Sequence, residues 1–390
     1  MGKYDLVSLF CGAGGMDYGF HHRGFNIVWA NDFDVDACET YSINIDKNVI
    51  CGDITKIDKS TIPSCDVVIG GFPCQGFSVA NTKRSMDDKR NFLYKEMLDV
   101  VRQKKPKIFV AENVKGLLSM GDGKVIEMIV NDFEKLGYKV DYKIVVAAEY
   151  GVPQKRERLL IIGNNIGTKN IFPLTTHKES DFVSAKEAIG FLADIPLSED
   201  SVILDEAKIY NHIAYRNVSN KYMGRKYKVD QADICDYLRE WRKNSGWSVK
   251  KIDEYFGYAH TAGHWFRKDN KSGSIPKPED WFILKDLLRF DDKYDKFVTE
   301  YEEKEIVFEQ SLRITNWDTP SDTITATGPE IHTNKTRRLS CRECAILQSF
   351  PMDFVFKGSM NSIYRQIGNA VPVKLSIKIA EAVGEMLGGE

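Results

Sequence analysis

The first 160 or so residues switch repeatedly between two hydrophobic periods, and few folds accept that pattern. Short β-branched or aliphatic runs at Asp5–Phe10, Ile27–Ala30, Val67–Ile69, Ile108–Ala111, Lys143–Ala147 and Leu159–Ile162 read as strands. Between them Val35–Ile43, Phe92–Lys104 and Lys124–Leu136 carry apolar residues at helical spacing. Strands this apolar need cover on both faces, so the expectation is an α/β fold, a mostly parallel sheet with helices on each side. Such sheets bind ligands at the carboxyl ends of their strands.

After Phe172 the alternation stops. Residues 173–335 mix short apolar runs with Asn, Ser, Gly and Pro around one helical block from about Asp233 to Phe290. Helical periodicity returns at Cys341–Ser349 and Val373–Leu387, and the second of these could close back onto the first domain. The expected division is a discontinuous domain of residues 1–175 and 360–390, a second domain of 176–359, and an insert at 233–292 within it.

Charge and cysteine content bound the setting. The 390 residues hold 54 basic and 56 acidic side chains, a formal net of −2 that seems to argue against a polyanionic partner. Residues 207–278, however, carry 15 Lys and Arg against 7 Asp and Glu, a local +8 set against −10 elsewhere. Eight cysteines are too sparse for a disulfide scaffold, and the N-terminus lacks a secretory pattern. Apolar runs stop short of the ~18 residues that cross a bilayer, so a reducing, cytoplasmic setting without membrane contact is expected.

The strand Asp5–Phe10 runs directly into Cys11-Gly12-Ala13-Gly14-Gly15 and then into helical sequence. Glycines there let the main chain turn sharply and approach a ligand at a helix N-terminus. The dinucleotide fingerprint would need a third glycine at position 17, which holds Asp17. Asp32, at the tip of the next strand, could instead accept both hydroxyls of a ribose, with Phe33 stacked on its base. Asp53 and Ile54 could read the adenine edge. The ligand that suits these residues is an adenosine without pyrophosphate; the bland alternative is a glycine turn beside two surface acids.

The segment from Asp66 to Ser78 is more specific. A buried strand ends in Gly70-Gly71, and Phe72-Pro73-Cys74-Gln75 then forms a constrained loop at the ligand edge. A cysteine so placed suits a nucleophile, whereas Cys38, Cys51 and Cys65 read as packing. The next strand ends in Glu112-Asn113-Val114, which brings Glu112 to the same edge. In Pro153-Gln154-Lys155-Arg156-Glu157-Arg158, alternation puts Gln154, Arg156 and Arg158 on one face, a clamp for a carbonyl oxygen, a carboxylate or a phosphate.

Taken in order, these segments resemble the motif set of the DNA cytosine carbon-5 methyltransferases, and the later Arg338-Leu339-Ser340-Cys341-Arg342-Glu343-Cys344 and Gln366-Ile367-Gly368-Asn369-Ala370-Val371-Pro372 complete it. The match covers roughly the first 165 residues and the last 55. The resemblance implies a Rossmann-like methyltransferase fold with S-adenosylmethionine as cofactor and double-stranded DNA as substrate. It implies attack of the Cys74 thiolate on carbon 6 of a flipped cytosine, which raises electron density at carbon 5 for methyl transfer. Glu112 would hydrogen-bond ring nitrogen 3, and Arg158, supported by Arg156, would contact the base carbonyl.

By similarity the cofactor is held by Phe10, Gly12, Ala13, Gly14, Gly15, Asp32, Phe33, Asp53, Ile54, Pro73 and Leu93, with Asn369, Ala370 and Val371 from the C-terminal motif. Phe72 and Gln75 would border the flipped base, and the polar stretch from Ser78 to Arg90 would supply a loop closing over it. Ser321-Asp322-Thr323-Ile324 resembles the family's Thr-plus-aliphatic pair beside the target-strand backbone, which assigns that role to Thr323 and Ile324.

In this family the region between the arginine clamp and Arg338 recognises the target sequence. Here it contains a helix at 236–246 with a Gly246 stop, a second helix Val249–Phe256 capped by Ser248 and ended by Gly257, a third at His260–Phe266, and a fourth at Glu279–Phe290. Short helices joined by a Gly-containing turn resemble the phage-repressor helix-turn-helix. On that reading His260, Thr261, His264 and Arg267 lie on or near the base-reading helix, and Lys250, Lys251 and Lys268 lie nearer phosphates. An ordinary helical insert that only packs is the alternative.

Cys341-Arg342-Glu343-Cys344 is a lone Cys-x-x-Cys within a helical pattern and reads as packing, and the scattered histidines show no metal spacing. The reading is therefore a sequence-specific DNA methyltransferase forming 5-methylcytosine, either the modification partner of a separately acting restriction endonuclease or a phage or mobile-element enzyme, prokaryotic or phage-encoded. A monomer would suffice. A tRNA cytosine-5 methyltransferase and a non-catalytic DNA-binding regulator are the alternatives.

Overall fold

The computed structural model describes residues 3–73, 93–204, 207–215, 225–227, 231–257, 278–303, 313–326, 329–334 and 336–388. Strands β1 (Tyr4–Leu9), β2 (Phe25–Asp32), β3 (Val49–Cys51), β4 (Val67–Gly70), β5 (Ile108–Val114), β6 (Lys139–Val146) and β7 (Glu157–Asn164) form one sheet in the order β3-β2-β1-β4-β5-β7-β6. The pairs from β3 to β5 are parallel, and β7 runs antiparallel between β5 and β6. Strand order reverses at β1 and β4, which opens a crevice at their carboxyl ends. All six expected strands form. The further strand β3 is the short apolar stretch Val49–Cys51 ahead of Gly52; it has only three residues and leaves Ile50 and Cys51 exposed, so Cys51 is not a packing residue.

Helices α1 (Gly15–His22), α2 (Val35–Asn44), α3 (Leu93–Lys104) and α4 (Lys124–Glu134) connect these strands. They are followed by α5 (Ala185–Ile189), α6 (Gln231–Ser245), α7 (Val249–Phe256), α8 (Pro278–Leu288), α9 (Asp295–Thr299), α10 (Cys341–Leu347), α11 (Met360–Asn369) and α12 (Val373–Gly388). The sheet sorts its side chains by the two-residue period of a strand. Val7, Val68, Phe109, Leu159 and Ile161 join one core with Val100 of α3 and Phe133 of α4. Their neighbours Leu6, Ile69, Ile108, Val110, Leu160 and Ile162 join a second core with Phe20 of α1 and Ile379 and Val383 of α12. Each buried Leu, Ile, Val or Phe contributes about 1.5–3 kcal/mol.

Helix α12 thus closes back onto the N-terminal helix. The crossing is tight at Gly19, where an added Cβ would lie 2.2 Å from Ser376 Oγ and 2.5 Å from the Ile377 nitrogen. The Ser376 hydroxyl also donates to the Met16 carbonyl.

The chain divides into two compact units, Met1–Ala214 with Thr315–Pro329 and Ser340–Glu390, and Tyr215–Ile314 with Glu330–Leu339. Residues 176–214, 315–329 and 340–359, expected in the second domain, therefore belong to the sheet-bearing unit. The cause is a set of side-chain ties that periodicity does not reveal. Arg342, fully buried, donates to the carbonyls of Tyr210 (2.7 Å), Pro351 (3.1 Å) and Phe354 (2.6 Å). The Ser340 hydroxyl meets His212 Nδ1 at 3.0 Å, and Ser340 and Glu343 form a capping box at the start of α10. Cys341 and Cys344 of that helix are buried in packing.

The second unit has its own core of Ile234, Leu238, Ile252, Trp281, Leu284, Leu288, Phe290 and Val298. Helix α7 has the expected bounds: Ser248 Oγ accepts the Lys251 N–H at 3.2 Å, and Gly257 leaves the helix at φ +71°. The expected helix His260–Phe266 lies outside the described residues. Replacing Gly19 with Val should push α12 away from α1. The expected loss is about 1–3 kcal/mol, read as a lower denaturant midpoint.

Candidate active site

At the end of β1 the main chain enters a turn of unusual conformation. Phe10 has φ +55°, a left-handed value that is costly for an aromatic residue. Gly14 has φ +88° and caps α1, and an added Cβ there would lie 2.7 Å from the Ile45 side chain. At Gly15 a Cβ would fall 2.5 Å from the Val371 carbonyl oxygen, so the C-terminal motif rests directly against the turn.

A cavity of about 540 Å³ opens over this turn. Of the residues expected to hold the cofactor, Phe10, Gly12, Ala13, Gly15, Asp32, Phe33, Asp53, Ile54, Pro73, Leu93, Asn369, Ala370 and Val371 line it. Gly14 does not; it shapes the turn from behind. Asp32 Oδ2 accepts the Gly12 N–H at 2.8 Å and its Oδ1 accepts the Asp34 N–H at 2.9 Å. Burial raises the Asp32 pKa, and these two hydrogen bonds act against that rise. Asp53, by contrast, is held low by accepting from the hydroxyl (2.8 Å) and N–H (3.0 Å) of Thr55. Ile54 is buried, whereas Phe33 is 76% exposed, an open ring beside Asp32.

The same cavity reaches Glu112, Asn113 and Arg158. Glu112 Oε1 pairs with Arg158 Nε at 2.8 Å, and both side chains are about nine-tenths buried. Glu112 Oε2 lies 3.2 Å from where a Cβ on Gly71 would be. Asn113 donates to the Phe72 carbonyl at 2.9 Å, which fixes the main chain just ahead of Pro73 and Cys74. Cys74, Gln75, Ser78 and Arg90 themselves lie outside the described residues, as do His260, Thr261, His264, Arg267 and Lys268. Lys250 and Lys251 are exposed on α7, with Lys250 3.8 Å from Glu254.

The expected three-residue clamp divides in two. Arg158 faces Glu112, but Gln154 and Arg156 are buried at 0% and 1% exposure and hold main chain instead. Arg156 donates to the carbonyls of Ile324 (3.0 Å) and Gly368 (2.8 Å). Gln154 Oε1 accepts the Ile324 N–H at 3.0 Å, and its Nε2 donates to Gln348 Oε1 at 3.1 Å. Arg156 thus ties two main-chain segments together through its terminal nitrogens, while it also lines the cavity beside Arg158 and its Nε has no hydrogen-bond partner among the described residues. Ile324 is held at both its amide and its carbonyl, and the Thr323 hydroxyl donates to the Lys155 carbonyl at 3.1 Å.

Among the cavity residues that sequence alone does not single out are Arg365 and Asp17. Arg365 pairs with Asp34 at 2.7 Å beside Asp32. Asp17 is 1% exposed and accepts from the Tyr41 hydroxyl at 2.8 Å. The signal for Asp17 was its place in the first turn after the glycines, where it had been read only as a missing glycine.

Burial lifts the Asp17 pKa to about 6, although hydrogen bonds from Ser8 and Tyr41 oppose the shift. An unfolded aspartate titrates near 4, so the folded state holds this proton more tightly. The contribution of Asp17 to stability is therefore greatest below about pH 4 and is lost as pH rises through about 6. In Asp17→Asn that part of the stability–pH curve should flatten, as urea titrations at pH 4.5 and 7.5 would measure.

The sequence pattern of the C-5 cytosine-specific DNA methylases matches residues 4–385. Type II methyltransferase M.NgoFVII of Neisseria gonorrhoeae is 35% identical across 98% of this chain and 86% of its own length. Type II methyltransferase M1.HphI of Haemophilus parahaemolyticus is 32% identical across 97% and 86%. In fold, the chain is similar to a protein described as a DNA modification methyltransferase encoded within an E. coli prophage, with a TM-score of 0.60, 21% identity and coverage of 98% and 99%. The glycine turn, the Glu112–Arg158 pair and the C-terminal motif thus sit within a match spanning nearly the whole chain, which belongs to the C-5 cytosine-specific DNA methylase family.

Proposed function

We propose that this DNA cytosine-5 methyltransferase uses S-adenosylmethionine to methylate a cytosine flipped out of duplex DNA, within a target sequence selected by the second unit. The observation that carries the reading is that one cavity joins the glycine turn and Asp32 to Glu112 and Arg158. Its volume falls within the range of small-ligand sites. Each Asp32 oxygen accepts one main-chain N–H and retains acceptor capacity for a ribose hydroxyl. Gly15, Asp32, Asp53, Ile54 and Asn369 to Val371 would hold the cofactor, which supplies an electrophilic methyl group.

The chain's own residues would prepare the base. Cytosine carbon 5 is a weak nucleophile, and addition of the Cys74 thiolate to carbon 6 places an electron pair where the methyl is accepted. Asn113, by fixing Phe72, would set the approach to Cys74. Glu112 would contact ring nitrogen 3, and Arg158 would both orient that carboxylate and reach the base carbonyl. A base, such as a water molecule, then takes the carbon-5 proton, the carbon 5–carbon 6 double bond re-forms, and the carbon 6–sulfur bond breaks to release the thiolate. None of these contacts can be made inside a stacked duplex, so the base must leave the helix.

The second unit would read the target with its helical block, the helix-turn-helix reading placing His264 and Arg267 at base edges. The near-full-length similarity to Type II methyltransferases supports a role beside a separate restriction endonuclease. The enzyme would act as a monomer in the cytoplasm.

With labelled S-adenosylmethionine, duplex DNA should accept label and tRNA should not; preferential labelling of tRNA would overturn the reading. Cys74→Ser should lower turnover by about a thousandfold or more while cofactor binding persists. Replacing both His264 and Arg267 with Ala should relax site selection in methylome sequencing of expressing cells. Unchanged selection would leave the helical block a packing module.

A further inference from the structure

Lysine side chains usually keep their ammonium in water. Lys59 does not: it is 7% exposed, and it lies in a loop directly behind the cavity wall. Its Nζ donates to the Ile54 carbonyl and pairs with Glu96 Oε2 at 2.6 Å. Ile54 lines the cavity where the adenine edge would lie, and Glu96 stands one helical turn beyond Leu93, which lines the same cavity. A single ammonium thus joins two walls carried by separate elements.

The loop is built to present that contact. Asp53 caps the short turn Ile54–Lys56, and Asp58 caps the next, Lys59–Thr61. At the far end of α3, Lys104 donates to the Ser60 carbonyl at 3.1 Å, but from an exposed position where such a contact is worth little. The near end is drier: the Lys59 side chain is 8% exposed and that of Glu96 24%. Partial loss of water strengthens their attraction, and the more deeply buried ammonium is costly to leave unpaired.

We propose that Lys59 and Glu96 are a positioning pair that sets cofactor affinity from behind the adenine side of the cavity. Neither touches the cofactor. Lys59 holds the Ile54 carbonyl, and Glu96 holds Lys59 against the helix that begins at Leu93, so the gap between the two walls is fixed before ligand enters. The proposal rests on reading this cavity as the S-adenosylmethionine site.

The test is calorimetric titration of the full-length chain with S-adenosylhomocysteine, alongside urea denaturation. Lys59→Met keeps the apolar stem and removes the ammonium; it should weaken binding about fivefold or more and raise the KM for S-adenosylmethionine far more than it changes kcat. The double variant Lys59→Met with Glu96→Leu removes both charges. It should regain stability while binding stays weak, because the Ile54 carbonyl is still unheld. Should the single variant not fold, the double variant alone carries the test. Recovery of wild-type affinity in the double variant would mean that Lys59 serves only to neutralise Glu96, and unchanged affinity in both would equally overturn the proposal. Failure of the wild-type chain to bind S-adenosylhomocysteine would instead remove the cofactor reading beneath it.

Discussion

The central strands β1, β4, β5 and β7 have no wet face, and the rest of the sheet-bearing unit follows from that. Their consecutive side chains alternate between two cores, one closed by α3 and α4 and the other by α1 and α12. With both faces covered, only the strand ends can offer polar chemistry to a ligand. The reversal of strand order beside β1 selects which ends those are. Asp32, Gly71 and Glu112 reach one cavity because β2, β4 and β5 all end on the same side of a shared hydrogen-bonded frame.

Buried guanidinium groups do a second kind of work. Arg156 and Arg342 each satisfy carbonyls from segments far apart in sequence, and each is desolvated enough to pull its own pKa down. A planar fork suits that task, since it can engage two or three carbonyls at fixed angles. The arginines act as joints between segments that share no common strand or helix, including irregular chain such as that around Ile324 and Pro351.

The sheet was legible because period-two apolar runs are an intrinsic sequence signal, and Ser248 and Gly257 marked α7 to the residue. Strand β3 was not, since Val49–Cys51 is only three residues long, too short for a two-residue period to show. The glycine turn, Asp32 and Glu112 could be read because a strand end followed by a turn has few possible uses. The carbonyl contacts of Arg156 were not legible, because alternation reports which side of a strand a residue faces and not which main chain lies there. Lys59 and Arg365 were silent for a similar reason: their partners lie far along the chain or in loops without periodicity.

The docking of α12 has a consequence for how the protein is made. Ser376 meets Met16 across 360 residues of chain, and the Val371 carbonyl completes the turn at Gly15. At ribosomal rates of about 5–20 residues per second, α1 waits roughly 20 to 70 s for that partner. During this time Phe20, Ile27 and Ile69 lack part of their cover, and the nascent sheet presents an apolar face to whatever is near. The Val371 side of the cavity cannot form until residue 371 has been made, so the glycine turn that it rests against is without that support for most of synthesis.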